Sequence, residues 1–291
     1  MQKEDSKKVM GEIVLFNPNI ERFKENIDSI LSQVNELYLY DNGSNNILDI
    51  ETCVNELRKS GKEVYLYRSK ENMGIARALN AGMEYARDNG YRWVLSLDQD
   101  SIFPAGGIEN YFLSLKEDKN VAIVTPKVYD RNLKVDLGEQ TEEEYIKEAI
   151  TSGALVRVDV WEQVGGYDEW LFIDGVDHEF SWRVVEQGYK ILRVNNVELL
   201  HELGDSQFHH IGKYKFIVYN YSAFRKYYQI RNQLFLKYKY GEHFSRISIL
   251  KKQIFYILIV AIYEKDKIKK MLAIMQGGMD AYKKIYSKNR L

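Results

Sequence analysis

Two acids separated by one residue, Asp98-Gln99-Asp100, follow directly on the apolar run Trp93-Val94-Leu95-Ser96-Leu97. Neighbouring carboxylates repel one another unless a cation or a hydroxyl-rich ligand lies between them. At the C-terminal end of a buried parallel strand, such a pair faces the ligand crevice of an α/β sheet. The chemistry this suggests is an oxygen-ligated divalent cation carrying a phosphorylated substrate. Aspartate also favours helix N-caps and turns, so the pair alone does not decide between a site and a turn.

The elements that must position it come from the alternation of the first half. Val9–Phe16 reads as a first strand stopped by Asn17-Pro18-Asn19, and Phe23, Ile27, Ile30 and Leu31 then recur at helical spacing. A strand at Leu37–Tyr40 is closed by Asp41-Asn42-Gly43-Ser44, and a helix over about 48–59 stops at Gly61. Glu63–Tyr67, a helix from Ile75 to Asn89 and Trp93–Leu97 complete a β-α-β-α-β-α-β series. That order implies a mainly parallel sheet with right-handed crossovers. Four polar or Gly-rich turns then share one sheet edge: Asn17-Pro18-Asn19, Asp41–Ser44, Glu71-Asn72-Met73-Gly74 and Asp98–Asp100. On that edge Asp41 suits a nucleobase or sugar hydroxyl, and Asn72 with Gly74 opens a helix whose N–H groups suit a phosphate.

Beyond Asp100 the pattern loosens. Strands are expected at Val121–Thr125, Ala154–Val158 and Lys190–Val194, with helices at Val160–Val164 and Asp177–Gln187. Arg131–Lys147, polar and acidic, reads as a loop, and the chain from Phe216 onward as helical, basic and tyrosine-rich. The boundary expected near 205–215 gives a catalytic α/β domain over 1–210 and a helical region over 211–291. Within the first, a donor half covers about 9–125 and an acceptor half about 150–210.

Composition narrows the classes. With 41 Lys and Arg against 42 Asp and Glu, the net charge is −1, which points to no polyanionic partner such as nucleic acid. A single cysteine, Cys53, excludes an intramolecular disulfide and a cysteine zinc cluster. Met1–Lys8 lacks a signal-peptide core, and the longest apolar run, Ile254–Tyr263, has ten residues, against roughly 20 for a membrane span. The expectation is a cytoplasmic protein. The basic-flanked run 254–263 either rests peripherally on the inner face of the cell membrane or packs on the core or a second subunit.

Taken in order, Tyr40-Asp41-Asn42-Gly43-Ser44, Glu71–Gly82 and Asp98-Gln99-Asp100-Ser101 resemble the inverting family 2 glycosyltransferases. The resemblance extends over about residues 9–240. It implies the GT-A fold, a nucleotide-sugar donor, a saccharide acceptor and Mn or Mg. By it, Asp41 contacts the base, Asp98 the ribose region and Asp100 the metal. Asn17 and Pro18 lie near the nucleoside, with Gln99 on the donor side. Ser152-Gly153-Ala154 resembles the small-residue segment beneath the acceptor, and Gly165-Gly166-Tyr167-Asp168 a family turn. In Val176-Asp177-His178-Glu179, Asp177 matches the general base, Val176 departs from a common Glu, and Glu179 replaces a second Asp on the acceptor side. Asp174 is the rival base. His201 stands where many members carry a third metal ligand; its alternative is a satisfied structural histidine.

Arg225–Asn232 resembles a segment of bacterial rhamnosyltransferases, which use dTDP-L-rhamnose and build surface polysaccharide on lipid carriers. Arg225 and Arg231 suit bidentate contact with an acceptor diphosphate. The rival readings are a UDP-hexose donor, a nucleotidyltransferase, and a non-catalytic nucleotide-sugar-binding scaffold. The nucleotidyltransferase lacks support, because Asn17-Pro18-Asn19 is no basic Gly-rich loop.

Overall fold

The structure is a computed structural model that describes residues 7–116, 118–131, 135–136, 142–201, 207–211, 214–241 and 246–288. The chain divides into two compact units. One comprises Met1–Phe172 with Val176–Glu202, the other Ile173–Gly175 with Leu203–Leu291.

The α/β unit is built on one mixed sheet. Strands β1 (Val9–Leu15), β2 (Glu36–Asp41), β3 (Val64–Arg68) and β4 (Trp93–Asp98) are mutually parallel in the order β3-β2-β1-β4. Helices α1 (Ile20–Ile30), α2 (Ile47–Lys59) and α3 (Ile75–Asp88) make the crossovers. β1 is apolar and buried at Val9, Met10, Ile13 and Leu15, as a strand covered on both faces must be. α1 presents Phe23, Ile27 and Ile30 to the same core, and the Asn19 side chain caps it by accepting from the Arg22 N–H at 3.1 Å.

The sheet continues through β8 (Leu155–Arg157), antiparallel to both β4 and β5 (Val121–Asp130), and then through β9 (Lys190–His201), parallel to β5. Helices α4 (Gly107–Leu115), α5 (Val158–Val164) and α6 (Val176–Glu186) accompany them.

Two expectations are corrected here, and one helix is added. The segment 131–147 is not simply a loop: β6 (Val135–Asp136) pairs with β5, and β7 (Glu143–Ile146) forms the antiparallel edge against β9. The rest of it, 132–134 and 137–141, lies outside the described residues. α4 had no sequence expectation. And β9 runs seven residues past Val194, so His201 is its last residue rather than a residue beyond it.

In the second unit, a hairpin of β10 (Gln207–Ile211) and β11 (Tyr214–Val218) precedes helices α7 (Ala223–Lys239), α8 (Arg246–Tyr263) and α9 (Lys267–Lys288). The helical expectation from Phe216 therefore begins too early, because Phe216 lies in β11. α9 packs along α7, where Gly277 lies against the Tyr227 carbonyl so closely that a Cβ there would collide with it. Beneath them Glu264 accepts from two buried lysines, Lys226 at 2.6 Å and Lys270 at 2.9 Å. Burial pulls the Lys226 ammonium below its ordinary proton affinity. Among the described residues no helix is long and apolar enough to cross a membrane.

Candidate active site

Strand order reverses between β1 and β4, and crevices of open α/β sheets form at that switch point, outside the carboxyl ends of the strands. Register puts Asp98 beside Val14 and Asp41 beside Leu15, so both acids stand at one level around the end of β1. The Gln99 amide closes the β1–β4 gap: its Oε1 accepts from the Phe16 N–H at 2.8 Å, and its Nε2 donates to the Phe16 carbonyl at 3.3 Å. Gln99, expected on the donor side, thus holds two strand ends together.

The neighbouring turns are stapled likewise. Asn17 donates its N–H to Ser44 Oγ and accepts the Asn45 N–H, both at 2.8 Å, while the Pro18 carbonyl accepts from Asn46 at 2.9 Å. Asp41 is buried, and its Oδ1 takes the Ser44 N–H at 3.1 Å. Asn42 reaches to the next turn, accepting the Met73 N–H at 2.7 Å and donating to the Gly74 carbonyl at 3.3 Å.

At the start of α3 the expectation changes. From sequence, Gly74 makes room for a phosphate. The room is taken by Phe172, whose ring and carbonyl would lie 2.7 Å from a Cβ at Gly74, where φ is +87°. The Phe172 carbonyl accepts the Ile75 N–H at 2.6 Å, and Asn72 Oδ1 accepts the Gly74 N–H at 2.9 Å. The first donors of this helix are already engaged within the unit.

At the end of β4 the structure joins Asp98, Ser101, Ser152 and His201. The Asp98 N–H donates to Ser152 Oγ at 3.1 Å, the Ser152 and Ser101 hydroxyls are 2.9 Å apart, and Ser101 Oγ lies 2.8 Å from His201 Nδ1. With Nδ1 engaged, Nε2 is turned to Asp98, 3.8 Å from its Oδ2. Asn26, buried on α1, donates to the carbonyls of Asp98 and Ser101 and fixes the turn.

A carboxylate oxygen and an imidazole nitrogen fit a divalent cation. At bond lengths of about 2.0–2.2 Å, two ligands of one ion lie within roughly 4.4 Å of each other. An oriented imidazole with its other nitrogen on a hydroxyl is the expected outer shell. Among the described residues no three His, Cys, Asp or Glu side chains are grouped to hold an ion by themselves.

On the acceptor side, Asp177 sits in the first turn of α6, its Oδ1 accepting the His178 N–H at 2.9 Å. Glu179, expected on the acceptor side, is engaged within the protein. It is fully buried, and both oxygens accept from Arg183 one turn later, at 2.6–3.0 Å. Arg183 also donates to the Val164 and Gly166 carbonyls, each at 2.6 Å, so the pair clamps the Gly165-Gly166 turn. Gly153 is buried too: its carbonyl accepts the Tyr111 hydroxyl at 2.8 Å, and a Cβ would meet Pro126 at 2.6 Å.

In the second unit, Asp174 and Arg225 bind each other bidentately at 3.0–3.1 Å, and Asn232 straps the Ile173 and Asp174 carbonyls to α7. Arg231 is buried beside the Tyr228 ring, with Nε on Asn232, and burial lowers its proton affinity. Both arginines, expected at an acceptor diphosphate, hold structure within this unit.

Residues 13–163, just over half of the chain, match the family described as glycosyl transferase family 2. The chain belongs to glycosyltransferase family 2. This family 2 glycosyltransferase is 26% identical over 91% of its length to the dTDP-rhamnosyl transferase RfbF of Shigella flexneri, of which it covers 93%. Among solved structures it is similar to GalNAc-T7 with UDP, GalNAc and Mn2+, at TM-score 0.60 and 14% identity. That match covers 79% of this chain, which spans about half (47%) of the GalNAc-T7 chain. It is also similar to the mannosyltransferase PcManGT of Pyrobaculum calidifontis in complex with GDP-Man and Mn2+, at TM-score 0.58 and 14% identity, covering 94% of this chain and 73% of that one. The fold is GT-A.

Sequence reading missed the residues that tie the glycosyltransferase's edge together. Ser101, Ser152 and Asn26 lie in or near motifs, but their partners are 51 to 100 residues away, and no local pattern encodes such distances. Arg183 was legible: an arginine four residues after an acid on a helix is its natural partner.

Proposed function

We propose that this glycosyltransferase moves L-rhamnose from dTDP-L-rhamnose to a hydroxyl of a lipid-linked saccharide, with inversion, in the synthesis of bacterial surface polysaccharide. The observation that carries the donor is the likeness to a dTDP-rhamnosyl transferase along nearly the whole chain, the C-terminal unit included. The site supports the chemistry. Asp41, at the end of β2, takes a hydrogen bond from the base. Asp98 and His201, whose side chains lie 3.8 Å apart, would hold Mn or Mg at the diphosphate, with Asp100 two residues on, in keeping with the Mn2+ of both structural neighbours. Asp98 takes this role in place of the ribose contact expected from sequence. A cation bound there neutralises the charge that develops on the departing nucleoside diphosphate. Asp177 accepts the proton of the acceptor hydroxyl as that oxygen bonds to the anomeric carbon and the bond from that carbon to the diphosphate oxygen breaks. One base and a direct displacement give inversion. Asp174, held by Arg225, is the poorer candidate for the base.

The test is transfer measured across dTDP-rhamnose, UDP-hexoses and GDP-mannose with Mn, for the wild type and Asp177→Asn. The expected result is transfer from dTDP-rhamnose alone. Asp177→Asn should lower kcat by about 10²–10⁴-fold with donor binding unchanged. A preference for UDP-hexose overturns the donor assignment, and an active Asp177→Asn overturns the base.

A further inference from the structure

Helix α9 has two apolar faces. One, with Ile274, Gly277 and Ala281, is buried within its own unit against α7. The other carries Ile268, Leu272, Met275, Met279, Tyr282 and Tyr286, at alternating steps of four and three, each between 52% and 79% exposed. At 100° per residue these six fall within about an 80° arc on the side turned away from α7. Soluble surfaces rarely line up apolar side chains in this way without an occupant.

The charges select the occupant. Lys267 borders the stripe on one side, Lys269 and Lys283 on the other, and Lys265 stands at the corner before the helix, all four exposed. The acids nearby are largely neutralised. Asp280 accepts from the Tyr227 hydroxyl and from Lys283, and Glu264 is held by Lys226 and Lys270, which leaves Asp266 at the corner. That corner is an open cleft of about 670 Å³ in which Lys265, Lys267 and Lys269 stand beside Ile268 and Leu272. Ammonium groups adjoining aliphatic side chains match a phosphate headgroup adjoining its acyl chain. A second copy of the helix would set the same lysines against one another, at a cost in like-charge repulsion.

We propose that the exposed stripe of α9 docks on an anionic phospholipid bilayer. The helix lies in the interface with its apolar stripe down and its lysines among the headgroups. This adds α9 to the apolar run of α8 named from sequence, where Ile254, Phe255, Leu258 and Ile262 are also exposed, and it holds whichever nucleotide sugar is the donor.

The experiment is co-sedimentation of the full chain with vesicles of phosphatidylcholine alone, or of phosphatidylcholine with about one-third phosphatidylglycerol. The wild type is compared with Leu272→Glu/Met279→Glu and with Lys267→Glu/Lys269→Glu. All these positions are exposed, and unchanged far-UV CD melts establish that the variants fold. Expected is at least tenfold stronger partitioning to the phosphatidylglycerol vesicles, weakened by salt. The apolar variant should lose tenfold or more, and the charge variant should lose the preference for anionic lipid. Wild-type binding equal on both vesicles, or retained in Leu272→Glu/Met279→Glu, overturns the proposal. So does a dimer by light scattering that the same variant dissociates, since the stripe would then be covered by a second copy.

Discussion

Glu12 sits in the middle of β1, 1% exposed, with neither carboxylate oxygen in a well-formed hydrogen bond and only the Gly82 backbone beside it to offset its burial in part. It lies under α3 at Gly82, where any Cβ would collide with the carboxyl group. Burial pushes its pKa well above the ordinary 4.5. In the native state the group keeps its proton where the unfolded chain has lost it. Between pH 4.5 and the native pKa the folded protein therefore binds one more proton than the unfolded chain, and stability falls as pH rises. The slope is about 1.4 kcal/mol per pH unit. The loss accumulates with rising pH until the pH passes the native pKa. Glu12→Met removes both the titration and the unpaired polar group, the latter worth about 1–3 kcal/mol. Glu12→Gln removes only the titration. Urea denaturation followed by tryptophan fluorescence at pH 5, 6, 7 and 8 separates the two. Wild-type stability should decline across the series relative to both variants, and the Met variant should exceed the Gln variant at every pH. Equal pH slopes in wild type and Glu12→Gln would refute the assignment of a neutral buried carboxyl.

Three further outcomes follow from the site. Gly74→Ala forces a Cβ onto Phe172 at a φ of +87°; it should cost more than about 1 kcal/mol and raise the donor KM, read by thermal melting and steady-state kinetics. Arg183→Met takes the guanidinium away from the fully buried Glu179 carboxylate and should destabilise by about 3–5 kcal/mol in urea titrations, whereas Glu179→Gln/Arg183→Met should cost less. Ser101→Ala removes the hydroxyl at His201 Nδ1; Mn affinity, measured by EPR of free Mn with the nucleoside diphosphate present, should fall about 10–100-fold, and an unchanged affinity would reject the outer-shell role.

The donor half was legible because its central strands are covered on both faces. Such strands read as apolar runs, and turn residues with a local mechanism bound each one; β1 to β4 fall within a residue of their expected limits. α4 escaped notice because Pro104-Ala105-Gly106-Gly107 precedes it, a string of helix breakers, although Ile108, Tyr111 and Leu115 then keep helical spacing on its buried face. β7 escaped because Glu143 and Glu144 are charged, as suits a sheet edge. Side chains were legible by type but not by partner. Glu179 carries the right charge for a ligand, yet its charge is taken by Arg183. Arg225 has the right fork for a phosphate, yet grips Asp174.

Gly74 makes the same point from the backbone. A glycine at a helix N-terminus is a sound sign that something approaches closely, and in this fold what approaches is Phe172, 98 residues later. α3 then fastens the same segment a second time. Asn80 accepts the Tyr167 N–H at 2.8 Å and the Trp161 indole N–H at 3.1 Å, and donates to the Tyr167 carbonyl at 3.0 Å. The segment ending at Phe172 leads, three residues on, into the helix that bears Asp177. The 72–74 turn on the donor edge and the Tyr167–Phe172 segment thus hang on one helix, whereas Ile173 and Asp174, which follow, are held by Asn232. Close-packed interiors transmit displacement instead of absorbing it. A change that moves the start of α3 should accordingly register at both, in donor affinity and in the placement of the Tyr167–Phe172 segment.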